Sequence, residues 1–114
     1  MHDESLDALK DRLRSYKKEE IIFNEPHFTN RLLLREGNRE EVIKNLLKSE
    51  KLVYYYIEQG KYGDDVYCLH FNISNTRTMK LPIIFDKNNE RNLYVITYIM
   101  RYRPWQSMIR RGRR

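Results

Sequence analysis

His27, Arg31 and Arg35 follow one another at four-residue spacing in the stretch Pro26-His27-Phe28-Thr29-Asn30-Arg31-Leu32-Leu33-Leu34-Arg35. On a helix, residues at i, i+4 and i+8 stack along one side, so an imidazole and two guanidinium groups would form a single polar ridge. Imidazole moves protons near neutral pH, and guanidinium is shaped to grip phosphate. The ridge therefore suits phosphate chemistry or the holding of an RNA backbone. Phe28, Leu32 and Leu33 are expected to face the core beneath it.

Metal-free cleavage of RNA would need a base for the 2′-hydroxyl, a cation for the crowded phosphorane, an acid for the leaving 5′-oxygen and a surface that splays the bases. His27 can act as acid or base. Arg31 and Arg35 can hold the phosphate, as can Arg101 and Arg103 toward the end of the chain. Tyr98 or Tyr102 offers a hydroxyl or a stacking face, and Tyr56 and His70 join them if their strands present them to the same cleft. Each residue also has a plain structural reading. A histidine at a helix start caps or packs, Arg31 and Arg35 pair with acids such as Glu25 or Glu41, and strand tyrosines fill the core with a polar tip. Alternation along its strand places His70 opposite Leu69 and Phe71.

Other chemistries find less in the sequence. The single cysteine, Cys68, excludes an internal disulfide and a cysteine-rich metal site, and its apolar surroundings mark it as packing rather than a nucleophile. There is no His-x-x-x-His and no carboxylate cluster at ligand spacing, so neither metal nor cofactor is expected. Asp64-Asp65 reads as a turn, and the glycines form no phosphate loop.

Charge is unevenly placed. The chain has 114 residues with 22 Lys+Arg against 16 Asp+Glu, a net charge of +6. Arg101, Arg103, Arg110, Arg111, Arg113 and Arg114 lie in a final stretch without acids, so the whole excess belongs to the C-terminal tail. Such a cluster, with Trp105 inside it, points to a polyanion or an acidic protein, or to a solvated end. No apolar run is long enough to span a membrane, and residues 1–20 are too charged for a secretory signal, so a cytoplasmic protein is expected.

The elements that must position these residues follow from periodicity. Asp3 to Lys18 reads as a helix, with Leu6, Leu9, Leu13 and Tyr16 on one face. Ile21-Ile22-Phe23 is an edge strand or a connector. The ridge helix runs from about Pro26 to Arg35 and Gly37 stops it. Asn38 caps a further helix that ends near Ser49, with Val42, Ile43, Leu46 and Leu47 as its apolar stripe. From Leu52 the period becomes two. Strands are expected at Leu52–Glu58, Val66–Ile73, Thr78–Phe85 and Leu93–Tyr102, with Pro82 marking an edge or a bulge. Trp105 to Arg111 forms a helical turn or more. The reading is one α+β domain over 1–114. N-terminal helices pack on a twisted antiparallel sheet of about four strands, with an extra helix over 1–20 and a basic tail over 103–114.

His27-x-x-x-Arg31-x-x-x-Arg35, the nearby Gly37 and the acidic helix start Glu40-Glu41-Val42-Ile43 resemble the opening of the RelE, ParE and BrnT toxins of toxin–antitoxin pairs. The strands Val53-Tyr54-Tyr55-Tyr56, Tyr67-Cys68-Leu69-His70 and Val95-Ile96-Thr97-Tyr98 follow in the same order. The resemblance covers roughly residues 21–102. One departure is Glu36, which stands where the pattern sets a glycine directly after the second arginine. The resemblance implies helices on a sheet of about four strands, metal-independent ribonuclease activity and inhibition by a cognate antitoxin. Within it, His27, Arg31, Tyr98 and Arg101 are the candidate catalytic residues. Arg35, Arg103, Trp105, Arg110, Arg111, Arg113 and Arg114 are the candidate RNA contacts. Two rival readings stay open: a non-catalytic nucleic-acid-binding module built on the tail, and a gyrase-poisoning protein like some ParE relatives.

Overall fold

The computed structural model describes residues 5–34, 37–61, 63–87 and 91–112, with side chains up to residue 108 in the last stretch. Arg35, Arg113 and Arg114 lie outside the described residues, and the side chains of Arg110 and Arg111 do as well. Among the described residues the architecture is α+β: four α-helices and an open six-stranded sheet. Among the described residues no helix is long and apolar enough to cross a membrane.

Helix α1 spans Leu6–Arg14, capped by Ser5, whose Oγ accepts from the Ala8 amide, and it buries Leu9 and Leu13. It stops short of the expected Lys18 because Ser15 turns back, its amide and hydroxyl both donating to the Arg12 carbonyl. A 3-10 turn over Lys18–Glu20 follows, and Tyr16, now beyond the helix, stacks on Phe85. Strand β1 (Ile21–Phe23) leads into α2 (His27–Leu34), and α3 (Arg39–Lys48) begins after Asn38, whose side chain accepts from the Glu40 and Glu41 amides. Ser49 ends α3 in the left-handed conformation, fully buried, with its hydroxyl on the Lys10 carbonyl.

The remaining elements are β2 (Leu52–Gln59), β3 (Asp65–Ser74), β4 (Arg77–Phe85), β5 (Leu93–Val95), β6 (Ile99–Arg101) and α4 (Trp105–Gly112). The strand order is β1-β5-β4-β3-β2, with β6 also paired to β4. Two expectations need correction. The sheet has six strands rather than about four, and it is not wholly antiparallel, because β1 runs parallel to β5. The β1–α2–α3 excursion carries the chain across the helical layer before the β2–β5 meander returns it beside β1, which fixes that direction.

Pro82 explains the other difference. It sits in central β4, opposite Cys68 of β3, and not at an edge. Having no N–H, it cannot complete a ladder pair on its far side, where its carbonyl accepts only the Ile96 amide at 2.9 Å. The expected single strand Leu93–Tyr102 is broken there into β5 and β6, and the register slips by one residue between Ile83↔Val95 and Met79↔Met100. The bulge was legible in Pro82; the central position was not.

Alternation divides the sheet. Leu52, Leu69, Phe71, Met79, Leu81, Ile83, Leu93 and Val95 face α1–α3 and form one core with Leu9, Leu13, Phe28, Leu32, Val42 and Leu46. Leu33 does not join it. It is 70% exposed and Leu34 is 78% exposed, because α2 turns about 100° per residue and only Phe28 and Leu32 share the inward side. The other sheet face carries Tyr54, Tyr56, Cys68, His70 and Lys80, and α4 packs over it.

Candidate functional site

The helix α2 end is built by a knot of polar contacts. Asn24 donates from its amide to the Val95 carbonyl and from its side chain to that of Ile96, which pins α2 to the β5–β6 break. Glu25 accepts from the amide and hydroxyl of Thr29 and from Arg39, whose guanidinium also lies 4.6 Å from the Phe23 ring centroid. These bonds, Thr29 first and Arg39 second, hold the Glu25 carboxyl below its usual range. The acid expected to pair with Arg31 or Arg35 is thus engaged by Arg39.

His27 is exposed, and its Nε2 lies 3.0 Å from the Thr97 hydroxyl, in the break that Pro82 imposes. Arg31 is exposed one turn on and forms no ion pair among the described residues. Tyr98 follows Thr97 but turns inward. It is 4% exposed, edge-on to Phe28 and within about 3 Å of where a Cβ on Gly37 would stand. Its ring is therefore core and offers no stacking face. Arg101 pairs with Thr78 and, by alternation from buried Met100, lies on the α4 side of the sheet. The structure thus joins His27 to the β5–β6 break and leaves Arg101 and Trp105 with a different group of side chains.

That group is the α4-side cluster. Tyr54 pairs with His70, Tyr56 with Cys68, and His70 with Lys80 across β2, β3 and β4, so their side chains share one face. Ring centroids are 5.3 Å apart for Tyr54–His70 and 5.7 Å for Tyr56–His70. Lys80 Nζ donates to the Tyr56 hydroxyl at 2.9 Å. Trp105, on the first turn of α4, stacks on Tyr54 at 6.5 Å. Tyr56 and His70 thus share a face with each other and with Arg101, but not a cleft with His27 and Arg31.

Electrostatics sort these groups. His70 is 3% exposed; burial, reinforced by the Lys80 charge, pushes its pKa down to about 4, so it is neutral at pH 7. Its Nδ1 lies 3.2 Å from the Cys68 carbonyl, which can only accept, so Nδ1 carries the proton. Burial raises Tyr56, against the lowering effect of Lys80, and the phenol stays protonated. Burial, with Glu58 adding to it, pushes the Cys68 thiol up to about 11, in keeping with packing rather than nucleophilic attack. Among the described residues no three His, Cys, Asp or Glu side chains are grouped to hold a metal.

The exit of β6 adds the charge. Arg101 is exposed on the α4 side beside its partner, buried Thr78, whose hydroxyl donates to the Arg103 carbonyl at 2.9 Å, whereas exposed Arg77 alternates to the other side, with Met79 and Glu41. The Arg77 guanidinium lies 5.8 Å from the ring centroid of Tyr102. Lys80 and Arg77 were missed in the sequence. The signal for Lys80 was there, since it is the one charged residue between Thr78 and Phe85 and aligns with His70 by alternation. Arg77 had none, because only the β4–β6 register brings it to Tyr102. No protein-family model, curated protein or solved structure matches this chain.

Proposed function

We propose that this chain is a metal-independent endoribonuclease toxin of the RelE/BrnT kind, working in the cytoplasm and restrained by a cognate antitoxin. The observation that carries the reading is the Lys80–Tyr56 pair, 2.9 Å apart on the same sheet face as Arg101. A protonated phenol beside an ammonium group suits protonation of a leaving 5′-oxygen while the cation stabilises the phosphorane. Arg101 takes the phosphate. His27, the exposed imidazole, stands with Thr97 at the β5–β6 break, apart from this face, and is not assigned the base. The order β1–α2–α3 and then a meander, with the His27–Arg31 helix in second place, supports a RelE-like identity.

Purified protein incubated with total RNA in EDTA is expected to release fragments. Tyr56→Phe and Arg101→Ala each slow the release by about 100-fold, the scale of a lost acid or charge, whereas His27→Ala, away from this face, leaves it unchanged. RNA that stays intact at high protein concentration defeats the proposal.

A binding module without catalysis is the second reading, favoured by the stacking of Trp105 on Tyr54, which makes α4 part of the aromatic surface. Deleting residues 104–114 separates the two. Lost binding with retained cleavage supports the enzyme, whereas lost binding with no cleavage by either form supports the module.

A further inference from the structure

The two edges of the sheet are built differently. At one lies β1, only three residues long, and shortness itself guards an edge. At the other lies β2, eight residues long, and among the described residues no strand pairs with its outer side. Soluble proteins guard such an edge with lysine, proline, a bulge or a covering element. Strand β2 has its one bulge at the start, between Leu52 and Tyr54, and the residues 54–59 include no lysine, arginine or proline.

The turn after β2 sets which backbone groups look outward. The Gly60 amide donates to the Asp64 carbonyl at 2.8 Å and closes the β2–β3 hairpin. Bonded pairs alternate along an antiparallel ladder, so Tyr54, Tyr56 and Glu58 bond to β3. Tyr55, Ile57 and Gln59 therefore turn their N–H and C=O groups to the outer side. The side chains of Tyr55 and Ile57 lie on the α1–α3 side, opposite Leu69 and Tyr67, and both are half-buried.

A second copy of the same strand fits that edge. In an antiparallel pair centred on Tyr56, Tyr55 faces Ile57 of the second copy, and each such contact closes two backbone bonds. An aromatic ring then meets a β-branched side chain twice on one face. On the other face Glu58, the one charge in the strand, meets the Tyr54 hydroxyl of the second copy instead of another carboxylate. Parallel stacking in register would set Glu58 against Glu58, so the antiparallel pair is favoured. Its two-fold axis consumes the long edge of both copies and leaves only short β1 outside.

We infer that β2 is a homodimer interface, through which two chains join antiparallel into one continuous sheet. Dimerisation does not depend on whether the chain cuts RNA. With Tyr56 on the axis, it sets the two α4-side clusters next to each other.

Sedimentation velocity of the full chain in EDTA is expected to show a concentration-dependent dimer. Each copy carries a net charge of +6, so raising salt from about 0.1 M to 1 M screens their repulsion and tightens the dimer. Ile57→Pro deletes an N–H that faces the second copy and not β3, and raises the dissociation constant about ten-fold or more. Ile57→Lys, which adds a charged guard to the edge, does the same. Thermal midpoints of dilute samples, where the parent is monomeric, report whether each variant still folds. Amide exchange needs no variant: in the parent the Ile57 N–H exchanges quickly when dilute and slowly when concentrated, while the Tyr56 N–H stays protected throughout. A parent that is monomeric at about 1 mM overturns the inference. So does an Ile57 amide whose exchange ignores concentration, or a dimer that survives both substitutions. A dimer that salt dissolves is bridged by charge, and an Ile57 amide protected only when an extended acidic peptide is added has a foreign strand as its occupant. Either result overturns the second copy.

Discussion

The two faces of the sheet are made by the same strands and differ in almost every property. On the α1–α3 side β3 contributes Leu69 and Phe71, and β4 contributes Met79, Leu81 and Ile83, all buried in the core. On the α4 side the alternate residues are Cys68 and His70 from β3 and Lys80 from β4, joined by Tyr54 and Tyr56 of β2. One face is mostly aliphatic, with Tyr55, Tyr67 and Tyr98 its titratable side chains; the other gathers an imidazole, a thiol, an ammonium and two phenols. A period of two lets a single strand give every second residue to stability and the rest to chemistry. Damage to the first face should therefore be felt as unfolding, and damage to the second as an altered response to pH.

The largest effect belongs to the dry face. Phe71 is fully buried, and Phe71→Ala removes a ring that the surroundings cannot replace, at about 3–5 kcal/mol. For a domain with about 5–15 kcal/mol in total, that is a large fraction. Urea unfolding followed by circular dichroism measures it. Tyr54→Ala on the other face, half-buried and partnered by Trp105, is expected at about 1 kcal/mol. Equal losses from the two would erase the contrast between faces.

His70 tests the chemical face next. Its folded pKa of about 4 lies below the ordinary value of 6.5, so the unfolded chain takes up the proton first. Stability is full above pH 6.5, declines as pH falls through 6.5 toward 4, and by then has dropped by about 3 kcal/mol. Glu20 and Glu25, held below their usual range, add their own losses only at the acid end of this window. His70→Asn keeps a donor for the Cys68 carbonyl and cannot titrate. Urea midpoints taken from pH 7 to 5 should slope in the parent and lie flat in the variant. A parent curve that is already flat would mean that His70 is not the buried neutral base described above.

How far the sequence led depends on the kind of signal. Helices α2 and α3, strands β2–β4 and the bulge at Pro82 were legible, since capping residues, alternation and a missing N–H act locally. The parallel pairing of β1 was not, because a three-residue strand carries no mark of its partner. Leu33 was misplaced by grouping it with Leu32, its neighbour in sequence but about 100° away on the helix. His27 was visible as a candidate, but its partner Thr97 lies 70 residues away and depends on where Pro82 breaks the sheet. Tyr98 looked like a site residue in sequence, yet the slip of register at that break turns it into the core.

Gly37 gives a smaller effect that bears on the same break. Its backbone conformation is ordinary, so the demand for glycine is spatial: a Cβ would stand 2.6 Å from Leu32 Cδ1 and 3.0 Å from Tyr98 Cζ. Gly37→Ala must push the Tyr98 ring or the α2 end outward, at about 1–3 kcal/mol. A double variant with Tyr98→Leu, which shortens the obstructing ring, should recover part of that loss in the same urea assay. Strict additivity of the two substitutions would mean that the ring is not what resists the methyl group.

The smallest effect is expected at the exposed knot of Glu25, Thr29 and Arg39. Glu25→Gln keeps an oxygen for the Thr29 amide and removes the charge facing Arg39. Exposed pairs of this kind are screened by salt, so the thermal midpoint should fall slightly at low ionic strength and match the parent in about 1 M salt. The parent's advantage is present above the ordinary carboxylate range and disappears as pH falls through the lowered pKa of Glu25. A deficit that persists in high salt would show that Glu25 acts through its Thr29 bonds, as a shape-setting acceptor, and not through charge. The same salt titration on Arg77→Gln should show no stability change at any ionic strength, because that arginine has no carboxylate partner among the described residues. Together the two curves separate cations that hold the fold from those that do not.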